Sequence, residues 1–142
     1  MDIDSYKEKV SALQSRVDAL PDSVSNTKTS FSNRLNEIEN KLKNEQTIQN
    51  AIKKVENALD KAGKTLDKGD IDDAQKAIDD LPSSIDKTKY NNELRTIKQE
   101  LQAQTAKDVT SANAAVMKVS RTKSLDDLNT ARSLVDLSLI HI

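Results

Sequence analysis

Ile3, Tyr6, Val10, Leu13, Val17 and Leu20 follow one another in alternating steps of three and four residues. That spacing keeps side chains on one face of an α-helix, whereas a half-buried strand would need alternation in steps of two. After Pro21 the same spacing resumes, mostly in threes and fours, through Val24, Phe31, Leu35, Ile38 and Leu42. It stumbles across KNEQT and restarts in a shifted phase at Ile48, Ile52, Val55, Leu59 and Ala62. No proline or glycine accompanies the shift, so the pattern predicts one continuous helix from about residue 23 to 64 that changes the neighbours it faces. At 1.5 Å per residue such a helix is roughly 60 Å long.

The pattern also repeats along the chain. ALPDSVSNTKTSFSNRLNEIENKL aligns with DLPSSIDKTKYNNELRTIKQEL: Leu20-Pro21 falls on Leu81-Pro82 and Val24 on Ile85. After a two-residue deletion Phe31 falls on Tyr90, Leu35 on Leu94, Ile38 on Ile97 and Leu42 on Leu101. A third copy begins at SLDDLNTARSLVDL, which echoes DIDDAQKAIDDL, and Val109, Ala112, Val116 and Val119 ahead of it repeat the spacing of Ile52, Val55, Leu59 and Ala62. The period is about 55–61 residues, the length of a small helical repeat.

Each copy reads as three helices, A, B and C, with helix C running into helix A of the next unit. Residues 1–44 hold helices B (3–20) and C (22–44) of one unit, and 45–104 hold a complete unit (helices 47–66, 70–81 and 83–104). Residues 105–137 hold helices A (105–120) and B (124–137) of a third. The expectation is an all-α fold of tandem three-helix bundles sharing long helices, a spectrin-like rod truncated at both ends. The short B–C connection, in which proline ends helix B and a following Ser or Asp caps helix C, makes those two helices antiparallel neighbours. Only 47–104 contains all three apolar stripes, so it is expected to be the most stable part of the chain.

The acidic stretch GDIDDAQKAIDDL raises the question of a calcium loop. Such a loop needs oxygen ligands at positions 1, 3, 5 and 12 with glycine at 6. Counted from Asp67, position 3 is Gly69, position 5 is Ile71 and position 6 is Asp72, so the spacing argues for a helix start. Asp70 is then expected as the cap, with Asp72 and Asp73 in the first turn facing the positive end of the helix dipole. In the third copy Ser124 takes the capping place with Asp126 and Asp127 behind it.

Composition removes most other readings. The chain carries 22 Lys+Arg against 23 Asp+Glu, so no basic face for nucleic acid is expected. There is no cysteine, which excludes thiolate metal sites and disulfides. No apolar run approaches a membrane span, so no membrane insertion is expected. An enzyme is the least favoured reading: the chain has no glycine-rich phosphate loop and no carboxylate–histidine spacing of the kind that builds metal sites in bundles. The expected set of catalytic, cofactor-binding and metal-ligating residues is therefore empty. Tyr6, Phe31 and Tyr90 all fall on seam positions and read as core, and Met117 beside Val116 reads as gap filler.

The ends carry their own signals. MDIDSYKEKV has neither a basic n-region nor an apolar h-region, so a secreted parent would hold its signal peptide outside these residues. The terminal LSLIHI breaks the seam and resembles the translation of a transposon-end sequencing adaptor. Residues 138–142 are accordingly expected to be a non-native tail, with the natural sequence cut near Asp136. His141, the only histidine, is then expected to be an artefact with no carboxylate partner.

LDKGDIDDAQKAIDDLPSSIDKTKYNNEL, and the repeat over most of 3–137, resemble the helical region of S-layer proteins of Gram-positive bacilli and, more loosely, other helical stalk repeats of their surface proteins. The resemblance implies an extracellular, wall-associated location and a structural spacer function, with cell-wall polymer, another surface protein and the chain's own neighbouring repeats as partners. No binding residue carries over from it. A ligand-binding module for wall polysaccharide or a host protein is the second expectation, and a cytosolic coiled-coil-like adaptor the third.

Overall fold

The computed structural model describes residues 2–141 and is all-α. Five α-helices follow in order: α1 (Ile3–Asp18), α2 (Ser25–Thr65), α3 (Lys68–Asp79), α4 (Thr88–Thr122) and α5 (Leu125–Ile140), with a 3-10 turn at Asp22–Val24. Helix α2 runs unbroken through residues 42–48, where the apolar stripe shifts phase. Helix α4 likewise runs unbroken through residue 104, where one copy is expected to pass into the next. The chain divides into two compact units, Met1–Ile52 and Lys53–Ile142, and the division falls inside α2.

In the first unit α1 lies antiparallel against the first half of α2. Ile3, Val10, Val17, Leu35 and Leu42 form its core, with Leu20 packed against it. Polar pairs follow the same course: the Lys7 ammonium donates to Gln46, Gln14 Nε2 to Ser32 Oγ at 3.5 Å, and Lys28 Nζ to the Asp18 carbonyl at 2.8 Å. The Lys28 ammonium meets an otherwise unpaired carbonyl of the last α1 turn, a favourable place for a cation.

The second unit holds the densest core. Val55 and Leu59 from α2, Ile78 from α3 and Leu94 from α4 are all below 2% exposed, and Ala62, Ile71, Ala74 and Leu81 are buried with them. Each fully buried large aliphatic stabilises the fold by about 1.5–3 kcal/mol. Helix α2 approaches α4 closely at Gly63, where a Cβ would sit 3.7 Å from the Ile97 Cδ1. Beyond residue 104, α4 pairs with α5, and burial there falls to Asp108, Ala112, Ala131 and Ser138.

Several local expectations need correction. The cap of α3 is Asp67, one turn ahead of Asp70, and its carboxylate accepts from the Gly69 and Asp70 amides at 2.8 and 3.2 Å. Leu66 takes the left-handed conformation (φ 49°) and reverses the chain early, so α3 starts at Lys68. The helix after Pro82 starts at Thr88 instead of 83; Ser83 caps nothing, and Asp86 accepts from the Thr88 amide at 2.9 Å. Of the three aromatics only Tyr90 is core, at 8% exposure against 48% for Tyr6 and 40% for Phe31. Met117, at 67% exposure, fills no gap. In the first unit, where two helices pack, the side of the seam between them is buried at Val10, Val17 and Leu35, while Leu13, Phe31 and Ile38 on its open side are not.

Candidate functional site

Three places gather side chains of chemical interest: the two helix junctions, the end of α5, and a groove in the first unit.

The α2–α3 junction is a network of three groups. Asp70, in the first turn of α3, receives the Lys61 ammonium at 2.6 Å and the Thr65 hydroxyl at 2.8 Å. The Lys61 hydrogen bond and then the Thr65 hydroxyl hold the Asp70 carboxyl below the usual carboxylate range, and the same pairing with Asp70 raises the Lys61 ammonium. The α4–α5 junction repeats the arrangement at the same spacing. Asp127 receives the Thr122 hydroxyl at 2.6 Å and the Lys118 ammonium at 3.0 Å, and these two donors, Thr122 first, depress its carboxyl. Lys123 stands in the left-handed conformation (φ 51°) where Leu66 stands in the earlier copy. Ser124 caps α5, accepting from the Asp127 amide at 3.5 Å, as Asp67 caps α3. Lys61, Thr65 and Asp70 thus answer to Lys118, Thr122 and Asp127. Hydrophobic spacing gives no hint of this latch; a Lys-x3-Thr-x4-Asp motif read twice from the sequence would have found it.

Asp67, just ahead of Gly69, is occupied with capping, and Asp70, just behind it, with the latch to Lys61 and Thr65. Among the described residues no group of three or more His, Asp or Glu side chains is arranged to hold a metal ion. Among the described residues no helix is long and apolar enough to cross a membrane.

At the end of α5 the structure gives His141 a carboxylate partner, contrary to that part of the expectation. Its imidazole Nδ1 pairs with Asp108, a carboxylate only 7% exposed in the middle of α4. Gln104 Nε2 donates to the other Asp108 oxygen at 2.8 Å. A carboxylate that fixes an imidazole this way resembles the orienting half of a nucleophilic triad. The Thr105 hydroxyl is turned to backbone carbonyls, at 2.9 Å from Leu101 O and 3.0 Å from His141 O. The arrangement pins the C-terminal turn of α5 to α4. Sequence reasoning missed it because the residues are 33 positions apart and Asp108 lies on a helix stripe that reads as solvated. Leu139 and Ile140 are exposed, at 62% and 68%, as expected for side chains off the seam; Ile142 lies outside the described residues.

The third place is a groove of about 440 Å³ between α1 and α2, walled by Leu13, Val17, Leu20, Phe31, Leu35 and Ile38 and lined also by Arg16 and Arg34. Leu13, Phe31 and Ile38 remain 40–45% exposed along it.

A scan against protein-family models and searches of curated proteins and of solved structures return no match for this chain.

Proposed function

We propose that this chain is a structural helical module, a spacer or stalk segment of a secreted, wall-associated bacterial surface protein built from tandem three-helix repeats. The observation that carries the reading is the twice-built junction of Lys61, Thr65 and Asp70 and of Lys118, Thr122 and Asp127. Polar chemistry in this chain goes into joining helix to helix at a fixed interval, which is what a repeat array requires. The resemblance of the 66–94 stretch to S-layer helical regions supports the extracellular setting.

The test has two arms. Antibody against the chain should label intact cells that carry the gene; labelling only after lysis would sink the surface reading and leave the cytosolic adaptor. The purified chain should stay in the supernatant when sedimented with Gram-positive cell walls. Retention by the walls would favour the second reading, a ligand-binding module. One feature speaks for that alternative: Tyr6 and Phe31 are half exposed, and exposed aromatic faces are what sugar rings stack on. Loss of retention in Phe31→Ala would then place the ligand on α2.

A further inference from the structure

The repeat alignment lets each groove residue of the first unit be compared with its counterpart in the second. Positions facing the α1–α2 core agree: Val10 is 5% exposed and Ile71 3%, Val17 8% and Ile78 0%, Leu35 7% and Leu94 2%. Positions on the groove differ in one direction. Leu13 is 45% exposed where Ala74 is 0%, Phe31 is 40% where Tyr90 is 8%, and Ile38 is 42% where Ile97 is 6%. In the second unit that face lies beneath the 53–65 half of α2, whose Val55, Leu59 and Ala62 are at most 1% exposed. Gly63 of that segment lies against Ile97, the counterpart of Ile38. The exposed face of the first unit is thus the face that a third helix occupies in the second.

The charges at this face differ as well. Arg16 and Arg34 line the groove, where the second unit has Ala77, which is buried, and Glu93. Neither guanidinium has an ion-pair partner among the described residues. The helix seated in the second unit carries Lys53, Lys54, Lys61 and Lys64 against Glu56 and Asp60, a basic balance that two facing arginines would repel.

We propose that the groove walled by Leu13, Phe31 and Ile38 is the docking site of an acidic amphipathic α-helix from a partner polypeptide, seated as residues 53–65 seat on α3 and α4. The apolar seam of that helix fills the groove, and its carboxylates meet Arg16 and Arg34. Arginine forks suit carboxylates bidentately, and such pairs set partner choice more than raw affinity. The inference rests on the repeat alignment behind the proposed function and not on its location; cell labelling and wall sedimentation read that proposal separately.

Two synthetic peptides test it against the full-length chain. One is residues 47–66 as they stand; the other replaces Lys53, Lys54, Lys61 and Lys64 with Glu and keeps the apolar spacing. The methyl NMR signals of Leu13, Leu20 and Ile38 report binding, and circular dichroism confirms that each variant stays helical. The acidic peptide should bind at least about tenfold more tightly than the natural one at low salt, a margin that shrinks as salt is added. Leu13→Asp, at a half-exposed position that the fold tolerates, should abolish binding, and the double variant Arg16→Glu, Arg34→Glu should reverse the preference. Absence of binding by either peptide at millimolar concentration, equal binding by both, or binding that survives Leu13→Asp would overturn the proposal. Concentration-dependent dimerisation of the chain that Leu13→Asp removes and the acidic peptide does not compete with would also overturn it, by assigning the groove to a second copy.

Discussion

Helices α3 and α5 align with each other in sequence and begin with the same latch, yet they end up in different surroundings. Helix α3 buries Ile71, Ala74, Ala77 and Ile78. Helix α5 buries only Ala131 and Ser138 and leaves Leu125, Leu128, Val135 and Leu139 exposed. Local chemistry is the same in both: a left-handed residue, a side-chain cap, and a threonine and a lysine closing on an aspartate. The difference lies in what covers them, since α3 has helices on both flanks of its stripe. A junction can therefore be built by a few polar residues alone, whereas burying a helix stripe on both its flanks takes a third helix, as in the second unit. The two helices also close differently. Leu81, 4% exposed, plugs the end of α3, whereas α5 ends on the polar Asp108–His141 pair.

The largest test of this contrast is truncation at one repeat position in both copies. Leu59→Ala should cost about 2–5 kcal/mol because it opens a cavity in a closed core, while Val116→Ala, at 50% exposure, should stay within about 0.5 kcal/mol. Urea denaturation measures both; comparable losses would mean that the region beyond residue 104 is packed as tightly as the second unit's core. Next comes His141→Ala, which takes from the buried Asp108 carboxylate its charge-assisted partner. It should destabilise the end of α5 by about 1–3 kcal/mol, seen as faster amide exchange at 136–141 with α3 unaffected.

A smaller effect, of opposite sign, is expected at the left-handed residues. Lys123→Gly should stabilise by about 0.5–1 kcal/mol, since glycine adopts φ near 51° without the clash a Cβ brings. Leu66→Gly should gain less, because the half-buried leucine gives up packing as it relieves the strain. Thermal melts of the two variants compare the junctions directly.

The smallest effect is the pH response of the latches. Asp70 and Asp127 have depressed carboxyls in the folded chain. The stability they contribute is present above the ordinary carboxylate value near pH 4 and is lost as pH falls through their lower folded values. Lys61 is raised, so its share is present below the ordinary lysine value and is lost as pH rises through the raised one. Their lysine partners are more than half exposed, so screening keeps the effect modest. The double variant Asp70→Asn, Asp127→Asn should flatten the acid limb of the melting curve; an unchanged acid limb would show that other carboxylates govern it.

Helix class, the unbroken course of α2 and α4, and the Ser124 cap were all legible in the spacing of apolar residues and in one serine. Periodicity identifies a stripe because it is a property of one helix. It is silent on whether a neighbour covers that stripe, which is why Tyr6, Phe31 and Ile38 read as core and stand half exposed. The start of the helix after Pro82 was missed for a different reason: Ser83 and Asp86 both suit capping, and the choice depends on how far the chain must travel before turning. The latches and the Asp108–His141 pair join side chains through turns or across helices, so no regular interval announces them.

The junction at Leu66 has a further consequence for how the chain tolerates insertions and deletions. One left-handed residue separates the end of α2 from the cap of α3, and Thr65 must still reach Asp70, so this connection has no slack. An added residue there would turn α3 by about 100° about its own axis and swing Ala74 and Ile78 out of the core. The connection after Pro82 is the reverse case. The aligned copies already differ there by two residues, and the stripes of Tyr90 and Leu94 still find their places. A one-residue insertion series should therefore lower the melting temperature sharply between residues 65 and 70 and barely at all between 83 and 87, leaving the Pro82 loop as the place where repeats of this kind can change length.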